Sequence, residues 1–504
     1  MRYANTVLTV TVSFLAFTVC TGAALAQPMA VTSSEIPERP EDLAYDTLEF
    51  TVPDGDSFRH VLTNGIPVYV AEDHTFPLVS LRLLLRQGSY LEPADKVGLA
   101  SMTGRMMRTG GTDSMAPDTF DEQAEFLAAD ISSFGGDSQA GASLGCITPE
   151  LDACLDLLFD MLRNPRFDEE RLQIEKGNVL EAMRQRNDDA GDILSREWDF
   201  LLYGKDHYSS RRMTEAHLNA IARADLIEFH EKYWRPENMV IAVSGDVDTT
   251  AFLAKLEKNL ADWPGEGADA KWPPPQPTHV VTPGVYSVEK DIPQGKVLIG
   301  HRVPQWTDWD NPDRAPLQVM QHILGGSGFT SRIMKRVRSD EGLAYSAGSR
   351  FSFDPYEPGT FTVSFQSKSP TVALAAKIAL EEVTRIQTES VTDEELTVAK
   401  SSLVDTFPRR WESAGQRANI FANDEFIGRS HAYWQKWRDQ VEDVTAEDVL
   451  RVALKYLHPD EVVFLVVGKW DEIAPGDPDD RANMMEFFGG EVTHIPLRDP
   501  LTLK

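Results

Sequence analysis

The chain has 504 residues, with 79 Asp and Glu against 49 Lys and Arg, for a formal charge of −30 at pH 7. An apolar share of 42% with 25% charged residues describes a folded globular chain and excludes global disorder and a membrane-spanning body. A length of about two to four domains leaves room for large cores. So large an acidic excess, without a long Lys/Arg cluster, excludes nucleic acid as a partner and favours cationic or peptide partners.

In chain order, Arg2 precedes an apolar run from Val7 to Val19, and Ala24-Leu25-Ala26 forms an A-x-A cleavage site before Gln27. The run is short and interrupted by Thr9, Thr11 and Ser13, so residues 1–26 are expected to be a cleavable secretory signal rather than an anchor. Bulky Val19 before Cys20 argues against a lipoprotein signal. No later apolar stretch approaches ~20 residues, which predicts no membrane span and a periplasmic location. Residues 27–44 are read as an extension. Past the signal only Cys146 and Cys154 remain, too few for a disulfide framework or a thiolate zinc cage. Two buried thiols and a local disulfide are equal readings of that pair.

Thr63-Asn64-Gly65-Ile66 places an Asn-Gly turn between Phe58–Leu62 and Pro67–Val70, which predicts a hairpin with Pro67 at a strand start or sheet edge. Val79–Leu85 reads as a strand. Leu99, Met102 and Met106 recur at helical spacing from Gly98, and Thr148-Pro149-Glu150 opens a further helix.

The chain repeats itself. Asp225-Leu226, Tyr233-Trp234-Arg235-Pro236 and the strand Val240–Val243 ending at Gly245 reappear 223 residues on, as Asp448-Val449, Tyr456-Leu457-His458-Pro459 and Val463–Val467 ending at Gly468. Phe167-Asp168-Glu169-Glu170 likewise matches Val391-Thr392-Asp393-Glu394-Glu395. Between the copies, Trp263 to Thr278 holds Pro264, Pro273, Pro274, Pro275 and Pro277, an extended and semi-rigid linker. The expected fold is α+β: homologous halves over 45–262 and 283–504, each a mixed β-sheet covered by helices, joined by a Pro-rich linker over 263–282 into a clam shell.

Gly88-Ser89-Tyr90-Leu91-Glu92-Pro93, Gly98-Leu99-Ala100, Leu324-Gly325-Gly326-Ser327-Gly328-Phe329-Thr330-Ser331-Arg332 and Gly342-Leu343-Ala344-Tyr345-Ser346 occur in this order along the two copies. With the repeat and the linker, they make the chain resemble the pitrilysin/insulinase family of zinc metallopeptidases over nearly its whole mature length. Active members carry His-x-x-Glu-His after the Gly-x-Ala element, where two His on one helix face hold zinc and the Glu acts as general base. Here the matching residues are Ser101-Met102-Thr103-Gly104-Arg105. The family's third ligand, a downstream Glu, falls on Ala182, and a slip of one residue would place it on Glu181. The metal positions Ser101, Gly104, Arg105 and Ala182 are thus vacant, Arg105 would repel a cation, and Glu175 and Glu181 read as solvated helix carboxylates.

The resemblance also implies a retained pair, Arg338 and Tyr345, which in the family faces the zinc site: Arg338 to hold substrate carbonyls and Tyr345 to donate to the tetrahedral intermediate. A chain with this pair and no zinc motif resembles the non-catalytic subunit of the bacterial two-subunit branch. It implies no cofactor in this chain, zinc in a homologous His-x-x-Glu-His-bearing partner subunit, and peptide substrates. Ile131–Leu144, with Gly135, Gly136, Gln139 and Ala140, resembles the family's edge strand on which an extended peptide can pair; an ordinary glycine hairpin is an equal reading. Gly325–Gly328 lacks the Lys-Ser/Thr ending of a phosphate loop. The alternative function is a structural or peptide-binding protein with no part in proteolysis, and a homodimer is the alternative assembly.

Overall fold

The computed structural model describes Arg39, residues 49–263 and residues 271–504; the expected signal over 1–26 and nearly all of the extension over 27–44 lie outside the described residues, as do linker residues 264–270. The first half runs β1 (Arg59–Val61), β2 (Pro67–Glu72), β3 (Leu78–Leu85), α1 (Leu99–Thr109), α2 (Pro117–Phe126), β4 (Asp130–Gly135) and β5 (Ala140–Ile147). It continues through α3 (Leu151–Arg163), α4 (Glu169–Arg184), α5 (Ala190–Tyr203), α6 (Glu215–Ala220), α7 (Arg223–Tyr233), β6 (Met239–Gly245) and α8 (Thr249–Leu260). The second half runs β7 (Gly284–Glu289), β8 (Gln294–Val303), α9 (Arg314–Gln321), α10 (Arg332–Met334), β9 (Ala344–Phe351), β10 (Gly359–Lys368) and α11 (Val372–Thr388). Then come α12 (Asp393–Thr406), α13 (Ala414–Ile427), α14 (Ala432–Glu442), α15 (Ala446–Tyr456), β11 (Val463–Gly468), α16 (Trp470–Ile473) and β12 (Val492–Ile495).

Each half builds one six-stranded sheet, in the orders β1-β2-β6-β3-β5-β4 and β12-β7-β11-β8-β10-β9. Both are mixed: β2 runs parallel to β6 and β7 to β11, while the neighbours β3 and β8 are antiparallel to β6 and β11. The Asn-Gly turn joins β1 to β2 with Val61 opposite Pro67, and Gly65 takes φ +87°, a conformation that favours glycine.

Strands β6 and β11 are buried almost throughout, which requires cover on both sheet faces. One face of each sheet is packed by its own helices, as where Leu81, Leu83 and Ile241 meet Met106, Leu158, Phe229 and Leu256. The other face is packed by a helix from the opposite half. Ile193, Leu194, Trp198 and Leu202 of α5 form one apolar cluster with Val288, Val463, Leu465 and Val467 of the second sheet. Reciprocally, α13 lies on β2 and β6, with Phe421 6.5 Å from the Tyr69 ring and Glu425 accepting from Tyr69 Oη at 2.6 Å. Residues Thr51–Lys504 therefore form one unit, and neither sheet is fully covered without the other half's helix.

Two straps close the seam. Linker residues 271–283 carry no helix or strand, and Trp272 packs 4.4 Å from Tyr356 and 5.6 Å from Phe426. The C-terminal tail returns to the first half, where Arg498 Nε donates to the buried Glu197 carboxylate at 2.9 and 3.0 Å. Cys146 and Cys154 stand as buried free thiols, and burial pushes the Cys146 thiol up to about 12. No helix of the described residues is long and apolar enough to cross a membrane.

Candidate functional site

Helix α1 carries three of the vacant positions. It begins after Gly98, at φ +96°, which as glycine has no side chain to cap the helix. Glu92 supplies the missing acceptor: its carboxylate receives the Gly98 and Ala100 N–H groups at 3.0 and 2.7 Å. Burial raises the Glu92 pKa to about 7 against the lowering by those hydrogen bonds and by Arg211, which lies 3.3 Å away. The conspicuous Gly88–Pro93 motif thus anchors the start of α1.

Along α1, Ser101 and Arg105 are exposed, and Gly104 is buried against β4. A Cβ added at Gly104 would stand 2.3 Å from Gly135 N, and one added at Gly135 would stand 2.1 Å from Ala100 O. Ser133 Oγ donates to Gly104 O at 2.6 Å across the same crossing. Arg105 is ion-paired with Glu175 of α4, whose carboxylate is buried rather than solvated; this departs from the reading of Glu175 as a solvated carboxylate, because the guanidinium compensates its burial. Ala182 is exposed on α4, and Glu181 pairs with Arg184 at 3.2 Å. A hydroxyl, a hydrogen, a guanidinium and a methyl do not make a zinc donor set, and the β4 backbone stands where a side chain at position 104 would have to go. Among the described residues no three His, Cys, Asp or Glu side chains gather as a metal site.

Strand β4 is the sheet edge, paired with β5 alone. Gly135 is committed to α1, Gly136 O accepts from Ser89 N at 2.9 Å, and Asp137 O accepts from Tyr90 N at 3.3 Å. Gln139 O accepts from Gly136 N at 2.9 Å to close the hairpin, and Ala140 is fully buried. The small residues do allow close backbone approach, but the approaching backbone belongs to this chain's α1 and Gly88–Glu92 loop.

The second half presents a different surface. Arg338 lies on a widened helical turn, Lys335–Asp340, that continues α10. Gly342, at φ +66°, reverses the chain into β9, and Leu343 N donates to Val337 O at 2.9 Å, so the turn and the strand are fixed together. The Arg338 guanidinium carbon sits 4.6 Å from the Tyr345 ring centre and 4.4 Å from that of Phe329. Tyr345 is 83% exposed and Phe329 65%. Stacking engages the faces of the guanidinium and leaves its N–H edge free; among the described residues no ion pair or hydrogen bond takes that edge or the Tyr345 hydroxyl. Phe329 was not singled out in the sequence, although an aromatic inside a glycine-rich turn, with nothing apolar around it, is a signal of surface use.

The family model described as Insulinase (Peptidase family M16) matches residues 68–209, and that described as Peptidase M16 inactive domain matches residues 220–403. The chain belongs to the insulinase family, peptidase family M16. An uncharacterized zinc protease of Mycobacterium leprae is 25% identical over 410 residues, 79% of this chain and 89% of that protein. The non-peptidase homolog YmxG of Helicobacter pylori is 24% identical over 406 residues, 80% of this chain and 91% of that protein. Among solved structures, a peptidase M16 inactive domain from Pseudomonas fluorescens shares the fold with a TM-score of 0.72 and 24% identity, covering 82% of this chain and 97% of that one. The periplasmic protease PqqL from Escherichia coli shares it with a TM-score of 0.70 and 16% identity, but the match covers only 45% of that chain against 82% of this one. Within the M16 family this chain is a non-catalytic member, since every position of the metal-binding helix motif carries another residue.

Proposed function

We propose that this M16 chain is the non-catalytic subunit of a two-chain zinc metallopeptidase, located in the periplasm, that supplies Arg338 and Tyr345 to a zinc site carried by a separate His-x-x-Glu-His subunit. The observation that carries the reading is the Arg338–Tyr345–Phe329 cluster: a guanidinium held 4.6 Å from an exposed phenol, with both donors unspent within the chain. A peptide carbonyl gains negative charge as water attacks it, and donors already in place cost no reorganisation at that moment. The guanidinium edge would hold a substrate carbonyl and the phenol would donate to the oxyanion. Exposure fits this role only under a second chain, because water around Tyr345 would otherwise compete for the same hydrogen bond. The match to less than half of the PqqL chain supports the same arithmetic, one such unit being half of a larger protease.

Assaying this chain and its His-x-x-Glu-His partner alone and mixed tests the proposal: activity is expected in the mixture only. A partner with full activity by itself would overturn it and leave a structural or peptide-binding role without proteolysis. Elemental analysis of the extensively dialysed chain is expected to find no stoichiometric zinc in it.

A further inference from the structure

Helix α5 covers its face of the second sheet only as far as β8, where Leu298 packs against the apolar cluster of that helix. The same face continues past Leu298 over β10 and the edge strand β9. Lys296, Leu298 and Arg302 stand opposite Gln366, Ser364 and Thr360, and Thr362 stands opposite Arg350. Ser364, Gln366 and Lys368 alternate with buried residues and are exposed, as is Arg350. Between the pairs Phe365–Ala347 and Ser367–Ala344 the register slips, so that Tyr345 and Ser346 together oppose Gln366. A bulge of this kind re-aims a side chain, and here both residues are exposed. Tyr345 is thereby delivered to the uncovered face.

Every charged side chain that β8, β9 and β10 place on that face is a cation: Lys296, Arg302, Arg350 and Lys368. Lys296 meets Asp189 of α5 at 3.0 Å, and Arg302 donates to His279 O at 2.9 Å. Arg350 and Lys368 have no side-chain hydrogen bond or ion pair among the described residues. The matching face of the first half, on β3, β5 and β4, carries Arg82 and Asp130, one charge of each sign. The basic character is therefore not a demand of the fold. In a chain with a net charge of −30, which favours cationic partners overall, this face reverses the sign locally.

The cations form two pairs, Lys296 with Lys368 at the Tyr345 end and Arg302 with Arg350 at the other, separated by about 13 to 26 Å of strand. A compact anion can reach only one pair, whereas an extended chain bearing several carboxylates can reach both. Nucleic acid is also an extended polyanion, but it carries a charge at every step and is repelled by the rest of this acidic chain.

We infer that this face is the subsite for an acidic stretch of the peptide, whose Asp and Glu side chains are held by Arg350 and Lys368, with Arg302 and Lys296 beside them, while the backbone continues to Tyr345. The inference names the substrate class and rests on the function proposed above for calling that peptide a substrate.

Fluorescence anisotropy of the purified chain tests it without partner or catalysis, using labelled peptides of about ten residues that differ only in carrying Glu, Gln or Lys at about four positions. The Glu peptide is expected to bind with a Kd below about 100 μM at low salt, at least about tenfold tighter than the Gln peptide, and to weaken as salt is raised. The double variant Arg350→Gln/Lys368→Gln is expected to lose most of that preference at an unchanged melting temperature, because both side chains are exposed. Arg82→Gln, on the first sheet, is expected to change neither. Equal binding of the Glu and Gln peptides, a preference for the Lys peptide, or no binding at about 1 mM would overturn the inference. So would a double variant that binds as the parent does, or tighter binding of a dT oligomer of the same length. Failure of the proposed function reads differently: an inactive subunit mixture with the Glu peptide still bound removes that function and keeps the acidic-peptide face. An active mixture with no preference for Glu does the reverse.

Discussion

The two halves share one device, a helix crossing the sheet's edge strand at a glycine, and surround it differently. In the first half a Cβ at Gly104 would stand 2.3 Å from Gly135 N of β4; in the second, a Cβ at Gly325 would stand 2.2 Å from Ser349 N of β9. Beside the first crossing, Arg105 and Glu175 lock α1 to α4, and the donors of the metal motif are gone. Beside the second, the helix widens into a π turn, and the start of the edge strand presents Tyr345 to Arg338 in the open. The fold is carried by the close crossing, the Glu92 anchor and the exchanged helices. None of these needs a metal, so loss of the ligands leaves the scaffold intact while the opposite surface keeps its donors.

The hardest way to break this contrast is to act on the open side. Tyr345→Phe removes one oxyanion donor and is expected to lower the activity of the mixed subunits by about 100-fold or more, with little change in peptide KM. Because Tyr345 is 83% exposed, the melting temperature of the chain alone should not move. A mixture that works at the parent rate would make the two sides equally inert.

The seam between the halves gives the next largest effect. Glu357, on the loop after β9, is pushed up to about 7 by burial first and by Asp354 next, and one of its oxygens has no partner. Asp137 and Asp199 of the first half add to the rise, and a hydrogen bond with Ser209 opposes it without cancelling it. The folded pKa thus lies above the unfolded value near 4.5. Below that value both states hold the proton and ionisation costs nothing; as the pH rises through about 7 the folded state must ionise a buried group, and stability is lost. Glu357→Gln is expected to match the parent in urea unfolding at pH 4 and to exceed it by about 2 kcal/mol at pH 8. Equal stability at both pH values would show the seam to be wetter than its packing suggests.

The crossings can be compared directly. Gly104→Ala and Gly325→Ala each gain about 1 kcal/mol of helix propensity where the turn is helical, but each drives a methyl into strand backbone that cannot swing aside. Overpacking wins, and each is expected to cost about 2 kcal/mol in denaturant unfolding, to a similar extent in both halves. A costless Gly104→Ala would mean that β4 retreats readily from α1, leaving room to rebuild a metal motif.

What could be read from the residues was the part encoded locally or by repetition. Helices α7 and α15 start and stop 223 residues apart, as the matched Asp225 and Asp448 motifs indicate, and the Asn64-Gly65 turn falls between β1 and β2. The exchange of α5 and α13 was not legible, because an apolar helix face says that something is covered and not which sheet. Nor was Glu92 as an anchor, since its acceptors-to-donors match with Ala100 N exists only once the loop folds back on the helix. At the candidate site, Arg338 and Tyr345 came from the family pattern, whereas Phe329 and the buried state of Glu175 are tertiary facts. Gly135 and Gly136 were read for an incoming backbone, and only the three-dimensional packing shows which backbone arrives.

The smallest expected effect bears on why the closed side is closed. Arg105 keeps about half its side chain, 53%, in solvent, where an ion pair alone contributes ~0–1 kcal/mol. Its partner is the asymmetric element: Glu175 is 8% exposed, so Arg105→Ala leaves a mostly buried carboxylate with no cation beside it. The expected loss is about 1 kcal/mol at pH 7, measured by urea unfolding, and the double variant Arg105→Ala/Glu175→Gln should recover most of it, because the amide has no charge to strand. Recovery would show that the pair holds α1 against α4 by compensating a burial, which makes Arg105 a replacement that the packing now requires. An Arg105→Ala chain as stable as the parent would instead make the guanidinium incidental, and the first half would then differ from the second only in what it has lost.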